Sequence, residues 1–425
     1  MELNRMSPRA RANASDFSYM VIDQSGELGG AELALLPLLE HWGDRCQTVL
    51  FDNGPFAERV AALGVNMSVL VEARLNSVRK RGGRLQRTVQ GVAAMRAIRR
   101  QIDSLTELAR RTDIVYANTQ KALVLGAIAA KRAGKPVIWH AHDIMSRAHF
   151  SALQLMIVRQ IVRSRVDHVI ANSNASARAI QTLTGIAPDR IDVLPNGIAA
   201  APFESVTSAR CSALRKSIGI GDDVFVAGIF GRLAKWKGVH VALDAIALQP
   251  LMHLVVVGGA LFGEHAYAAQ LQKRVAELGL DSRVHFVGFS NDVPAWMKAV
   301  DVVLHASVSP EPFGRVVVEG MLARRPVIAT AAGGVTDIIS HRENGVLVAP
   351  GDPFALADAL AAVASSPVWA RSLGDRASED ASQRYRLDVY VQSVSQIVLR
   401  VATHAVRSVA SYEPLHAEPA AEAAA

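Results

Sequence analysis

The sequence predicts an α/β protein with two domains, each built on a parallel sheet. Short β-branched runs alternate with Ala- and Leu-rich helical stretches along the whole chain, which is the pattern of strand, crossover helix and parallel strand. The 425 residues are enough for two domains of ordinary size, each burying its own core. A Pro-Asn-Gly turn at Pro195–Gly197 and an Ala/Ser/Pro-rich stretch over 199–209 with little core pattern split the alternation into two sets.

Strands are expected at 18–23, 47–51, 66–71, 113–117, 136–140, 167–172 and 191–194 in the first set. The second set is 224–230, 253–257, 283–287, 301–306, 326–330 and 346–348. The domains therefore run 17–200 and 201–385, after a ragged, disordered N-terminus over 1–16. A helix over 386–410 is expected to pack back on the first domain, and the Ala/Glu/Pro tail over 411–425 to be disordered. Pro37 should kink or end the first helix, since it has no N–H to give.

Half the residues are hydrophobic, yet no run reaches the roughly 18 to 20 uncharged apolar residues of a membrane-spanning helix. The first sixteen residues lack the apolar region of a secretory signal, so a cytoplasmic protein is expected. Cys46 and Cys211 are the two cysteines; they are far apart and in no metal-ligand spacing. The formal charge is +7 and the pI about 9.6. Arg74, Arg79, Lys80, Arg81, Arg84, Arg87, Arg96, Arg99 and Arg100 lie together without an acid among them. Such a segment could rest on anionic lipid, with a solvated surface as the equal alternative. Nothing points to nucleic acid.

In open parallel sheets ligands bind outside the carboxyl ends of the strands, so residues just after strands carry the functional information. The most informative stretch is Ser309-Pro310-Glu311-Pro312-Phe313-Gly314-Arg315-Val316-Val317-Val318-Glu319-Gly320. The prolines keep Glu311 in a loop, and Glu319 falls early in the following helix, near its positive end. Amides from Phe313 to Val316 would meet an anion there. Two carboxylates at this spacing can accept from vicinal hydroxyls, one on a sugar and one on a ribose; a structural ion pair is the bland alternative.

After β-strand 224–230 comes Gly231-Arg232-Leu233-Ala234-Lys235-Trp236-Lys237-Gly238, where Arg232 and Lys237 sit beside glycines that permit close backbone approach. Fixed cations of this kind stabilise a departing diphosphate without a metal. Near the N-terminus, Gly29-Gly30-Ala31-Glu32 opens a helix after the first strand, a turn that could offer amides to a phosphate or hydroxyl. His140-Ala141-His142-Asp143 ends the strand 136–140. His140 and His142 would alternate sides of a continuing strand, which disfavours a shared metal.

The 309–320 stretch resembles the donor-site signature of the retaining GT-B glycosyltransferases of family 4 (glycosyl transferases group 1), in which two Glu are separated by seven residues. The resemblance implies two Rossmann-like domains facing across a cleft, with the donor in the second. It implies that Glu311 contacts the transferred sugar, Glu319 the nucleotide ribose, and Arg232 with Lys237 the diphosphate. His140 would be the strand-end histidine facing the reacting sugar. Gly29, Gly30, Gly258, Gly288, Phe313, Gly314, Arg315 and Val316 would line the nucleotide sugar, which is substrate, no cofactor being implied. Ala171-Asn172-Ser173, Val193–Gly197, Gly333-Gly334-Val335-Thr336-Asp337 and Asn344-Gly345 extend the likeness in order over most of 18–385. One departure is Thr336-Asp337, where many relatives carry Pro-Glu.

The reading implied is a metal-independent transferase that moves a sugar, with retention, to a glycan or lipid-linked acceptor. Polysaccharide or glycolipid synthesis would be its setting, in the cytoplasm or at the inner face of the membrane. A nucleotide-sugar epimerase and a noncatalytic nucleotide-sugar-binding descendant are the rivals; a pyridoxal-phosphate phosphorylase is a third.

Overall fold

The computed structural model describes residues 17–70, 84–260 and 263–410. The expectations of disorder over 1–16 and 411–425, and the basic residues from Arg74 to Arg81, lie outside the described residues. Two compact units form, one from the chain up to His140 with Gln160–Val169 and the chain from Gln392 on, the other from Ala141–Arg159 with Ile170–Val391.

Among the described residues thirteen strands make two sheets. The first has seven: β1 (Tyr19–Asp23), β2 (Cys46–Leu50), β3 (Asn66–Val69), β4 (Ile114–Ala117), β5 (Val137–Ala141), β6 (His168–Ala171) and β7 (Ile191–Val193), in the order β3-β2-β1-β4-β5-β6-β7. The second has six: β8 (Val226–Phe230), β9 (His253–Val257), β10 (Val284–Gly288), β11 (Val302–His305), β12 (Val327–Thr330) and β13 (Val346–Val348), in the order β10-β9-β8-β11-β12-β13. Every residue of β1, β4, β8, β11 and β12 is buried. That is why these strands read as continuous apolar runs: helices cover both faces of a parallel sheet.

Both sheets reverse their strand order once, between β1 and β4 and between β8 and β11. At such a reversal the two flanking connections leave in opposite directions and open a crevice above the strand ends.

Of the two outcomes expected at Pro37, a kink or an end, the end does not occur: the helix Gly30–Trp42 runs through it. The proline forgoes one backbone bond, to the carbonyl four residues earlier, while Leu38, Leu39 and Trp42 beyond it are buried. Burying each such side chain contributes about 1.5–3 kcal/mol, which outweighs the lost bond. The 199–209 stretch packs on the core despite its weak core pattern. It contains a short helix, Ala201–Glu204, whose Phe203 is buried in the second unit's core, and Lys298 Nζ donates to the Phe203 carbonyl at 3.0 Å.

The long final helix spans Leu387–Ala410. Within the first unit, Trp42 Nε1 donates to Ser395 Oγ at 3.1 Å, and Arg400 lies 3.3 Å from His168 Nε2. Among the described residues no single helix is long and apolar enough to cross a membrane.

Candidate functional site

Several charged side chains come together above the β8/β11 reversal. At the end of β8 the chain turns through Gly231, at φ +118°, and its amide donates to the Val257 carbonyl of β9 at 2.9 Å. The turn lies so close to β9 that a Cβ at Gly258 would stand 1.9 Å from the Gly231 carbonyl oxygen. Gly258 in turn donates to the Gly288 carbonyl at 2.8 Å. Past the turn, the 3-10 segment Lys235–Lys237 ends at Gly238, in the left-handed region at φ +69°. A Cβ there would stand 1.9 Å from the Ala306 carbonyl oxygen, just beyond β11. Val308 N donates to the Trp236 carbonyl at 2.8 Å. Glycines thus let the loop after β8 lie directly on the chain leaving β11.

That approach brings Lys237 to Glu311. The ammonium lies 2.5 Å from Glu311 Oε1 and 4.5 Å above the Trp236 ring. Ser307 Oγ donates to the same Oε1 at 2.5 Å, and His305 Nε2 lies 2.9 Å from it. The backbone of Glu311 is pinned as well, because Gly334 N donates to its carbonyl at 2.8 Å. Gly333, at φ +67°, packs so tightly on that carbonyl that a Cβ would come within 2.1 Å. Burial alone would push the Glu311 carboxyl up, but Lys237 and His305 outweigh it and hold the group well below the usual carboxylate range.

The other expected residues surround this pair. Arg232 lies beside Trp236, its guanidinium 6.0 Å from the ring centre, with Nε 3.5 Å from Glu264 Oε2. The helix Arg315–Leu322 starts after Gly314, at φ +101°. On its first turn Arg315 Nε donates to Glu319 Oε1 at 2.7 Å. Burial pushes the Glu319 carboxyl up, with Arg315 and Lys237 opposing. A pocket is lined by Gly231, Arg232, Lys237, His305, Ser307 and Val316. The ring of Phe313 is buried in the core, edge-on to Tyr385 at 5.8 Å. Only its backbone could meet a ligand.

In the first unit, Gly29 caps the helix Gly30–Trp42 and gives its amide to Glu32 Oε2 at 2.9 Å. That amide is therefore engaged within the chain, while a Cβ at Gly30 would meet open space. His140 is fully buried on β5, with Nδ1 2.5 Å from Tyr116 Oη. In the second unit, just past β5, burial lowers His142 to about 3 and raises the Asp143 carboxyl, with His149 opposing. Among the described residues no cluster of three or more His, Cys, Asp or Glu is placed to hold a metal ion.

Sequence reasoning missed His305, Ser307, Glu264 and Asp23. Asp23, at the end of β1, is fully buried; its oxygens accept from Asn118 Nδ2 at 2.7 Å and Ser25 N at 2.9 Å. Burial pushes its carboxyl up to about 6, against those hydrogen bonds. The signal for Asp23, His305 and Ser307 was position at a strand end. Glu264 had none, because it pairs with Arg232 across a connection of more than thirty residues that no pattern relates.

The profile of the family Glycosyl transferases group 1 matches residues 212–383, and that of Glycosyltransferase Family 4 matches residues 28–201. The chain is 34% identical to Anabaena HepE, crystallised in complex with UDP and glucose; the match covers 90% of this chain and 100% of that one, with a TM-score of 0.81. The same protein has been crystallised with UDP-glucose. D-inositol 3-phosphate glycosyltransferase of Xylanimonas cellulosilytica is 30% identical over 307 residues, 67% of this chain and 73% of that protein. Its counterpart in Jonesia denitrificans is 29% identical over 266 residues, 57% of this chain and 62% of that protein, so the match spans less than two thirds of its length.

Proposed function

Because the chain belongs to family 4 of the glycosyltransferases, the group 1 enzymes of GT-B fold, we propose that it moves a sugar from a nucleoside-diphosphate sugar to a hydroxyl of a glycan or lipid-linked acceptor, retaining the anomeric configuration and using no metal. One observation carries the reading: Lys237 and Glu311, 74 positions apart, meet at 2.5 Å above the β8/β11 reversal, with Arg232 on the same loop.

The charges suit the two ends of such a donor. Lys237 and Arg232 are fixed cations able to take up the negative charge that develops on the diphosphate as the glycosidic bond breaks. Glu311, ionised and oriented, would accept from a sugar hydroxyl, and Glu319 from the ribose. The departing phosphate oxygen takes the acceptor's proton on the face from which it leaves, which retains the configuration. His140 joins this reading through the resemblance, with Tyr116 fixing its ring.

HepE was crystallised with UDP-glucose, which makes a uridine donor the first to try. Exposed Arg96 and Arg99 on the helix Arg84–Arg110 support an acceptor at the inner face of the membrane. The test is release of nucleoside diphosphate from UDP-, GDP- and ADP-glucose in the presence of a chelator. Release from one donor with EDTA present is expected; no turnover of any of them, or turnover that EDTA abolishes, contradicts the reading.

A further inference from the structure

Lys237 and Ser307 donate to one oxygen of Glu311, and His305 Nε2 stands 2.9 Å from the same atom. Lys237 reaches Oε1 from the loop after β8, His305 from the end of β11 and Ser307 from just beyond it. The last two are deep: His305 is 4% exposed and Ser307 fully buried. They are themselves braced by β12, where Thr330 Oγ1 donates to the Ser307 carbonyl at 2.9 Å and lies 3.4 Å from His305 Nδ1. The pairing of β11 with β12, His305 opposite Ala329, sets that brace beside the site.

Lys237 has two claims on it. In the absence of donor it neutralises Glu311, yet the diphosphate that it is proposed to bind needs the same ammonium. A buried carboxylate that gives up part of its only lysine must be held by its remaining partners, or it turns or takes up a proton. Lys237, His305 and Ser307 are the groups against the carboxylate itself; Arg232, paired with Glu264, lines the same pocket, and Glu319, paired with Arg315, lies within the influence of Lys237.

From this arrangement we infer that His305, braced by Thr330 and aided by Ser307, is a positioning residue for sugar transfer: it keeps Oε1 of Glu311 fixed while Lys237 turns to the diphosphate, so that Oε2 faces the sugar. The inference rests on the donor-site reading above. It assigns His305 no contact with the nucleotide, and that separates its role from those of Arg232, Lys237 and Glu319.

The test uses the full-length protein, UDP with UDP-glucose, and the GDP and ADP pairs if the uridine pair does not bind. His305→Ala should bind the free nucleoside diphosphate within about threefold of wild type, an affinity change under about 0.7 kcal/mol. Its turnover at saturating donor should fall about 10²-fold, the scale of a misplaced reacting group. His305→Gln, which restores an N–H donor, should recover part of that rate. In both variants the acid limb of kcat should move to higher pH, because Glu311 has lost a neighbour that favours its ionised form. Ser307→Ala should show a smaller fall in turnover and leave that limb nearer to wild type. The inference is overturned if His305→Ala, folded by its melting temperature and binding the nucleotide, matches wild type in turnover and pH profile. A wild-type protein that binds none of the nucleotides or their sugars overturns the donor reading itself, and shows this before any variant is made.

Discussion

At the end of β1 the first unit buries Asp23 against Asn118 and a backbone amide; in the loop beyond β11 the second unit buries Glu311 against a lysine, a histidine and a serine. Both acids are almost sealed, both stand at a reversal of strand order, and their proton affinities move in opposite directions. Neutral donors do not offset the loss of hydration, so Asp23 rises to about 6. Lys237 and His305 together more than offset it at Glu311. The topology supplies a crevice in each sheet, and charge compensation decides what each crevice can do. An acid braced by neutral groups ties a turn to its sheet. One braced by Lys237 and His305 stays ionised and brings positive charge to where an anionic donor could lie.

The largest expected effect tests the second half of that contrast. Glu311→Ala should lower turnover at saturating donor by about 10²- to 10³-fold, the scale of losing one preorganised polar contact in the transition state. Asp23→Asn should keep turnover within a few-fold. Equal losses in the two variants would break the comparison.

Next in size is the backbone. Gly258→Ala places a Cβ 1.9 Å from the Gly231 carbonyl oxygen at φ +149°, so it should cost about 1–3 kcal/mol of stability from strain alone. It should also weaken nucleotide binding, since the turn that carries Arg232 must move. Gly30→Ala meets nothing within 4 Å and should leave the melting temperature nearly unchanged.

The pH dependence of stability sharpens the contrast at Asp23. Its folded carboxyl titrates near 6, above the unfolded value of about 3.9. The folded state therefore binds this proton more tightly, and its contribution is fully present below about pH 4 and lost as the pH rises through 6. Asp23→Asn should remove that slope: the difference in melting temperature between variant and wild type should change across this window and level off above it. A constant difference from pH 4 to 7 would count against the burial argument. The smallest effect is expected of Trp42→Phe, which removes the hydrogen bond to Ser395 at about 1 kcal/mol and should leave donor affinity untouched.

The strands were legible because parallel strands covered on both faces leave long apolar runs, and each expected strand lies within a few residues of its place. Glu311 and Glu319 were legible as a spaced pair beside prolines. That Glu311 meets Lys237 was not, since the contact depends on Gly238 lying against Ala306 and on the β8–β11 neighbourhood, which no local pattern encodes. His305 read as one more residue of an apolar strand. At Phe313 the sequence pointed to the backbone amide, and the ring, on which it was silent, serves the core beside Tyr385. The helix runs on past Pro37 because the burial of the residues after it outweighs local propensity.

The most direct test of the central claim is calorimetric titration of the preferred nucleoside-diphosphate sugar into wild type and the Arg232→Ala/Lys237→Ala double variant. Charge-assisted hydrogen bonds from both cations predict a loss of affinity of about 10²-fold or more in the double variant. Equal affinity in the two proteins would show that the diphosphate does not lie above the β8/β11 reversal.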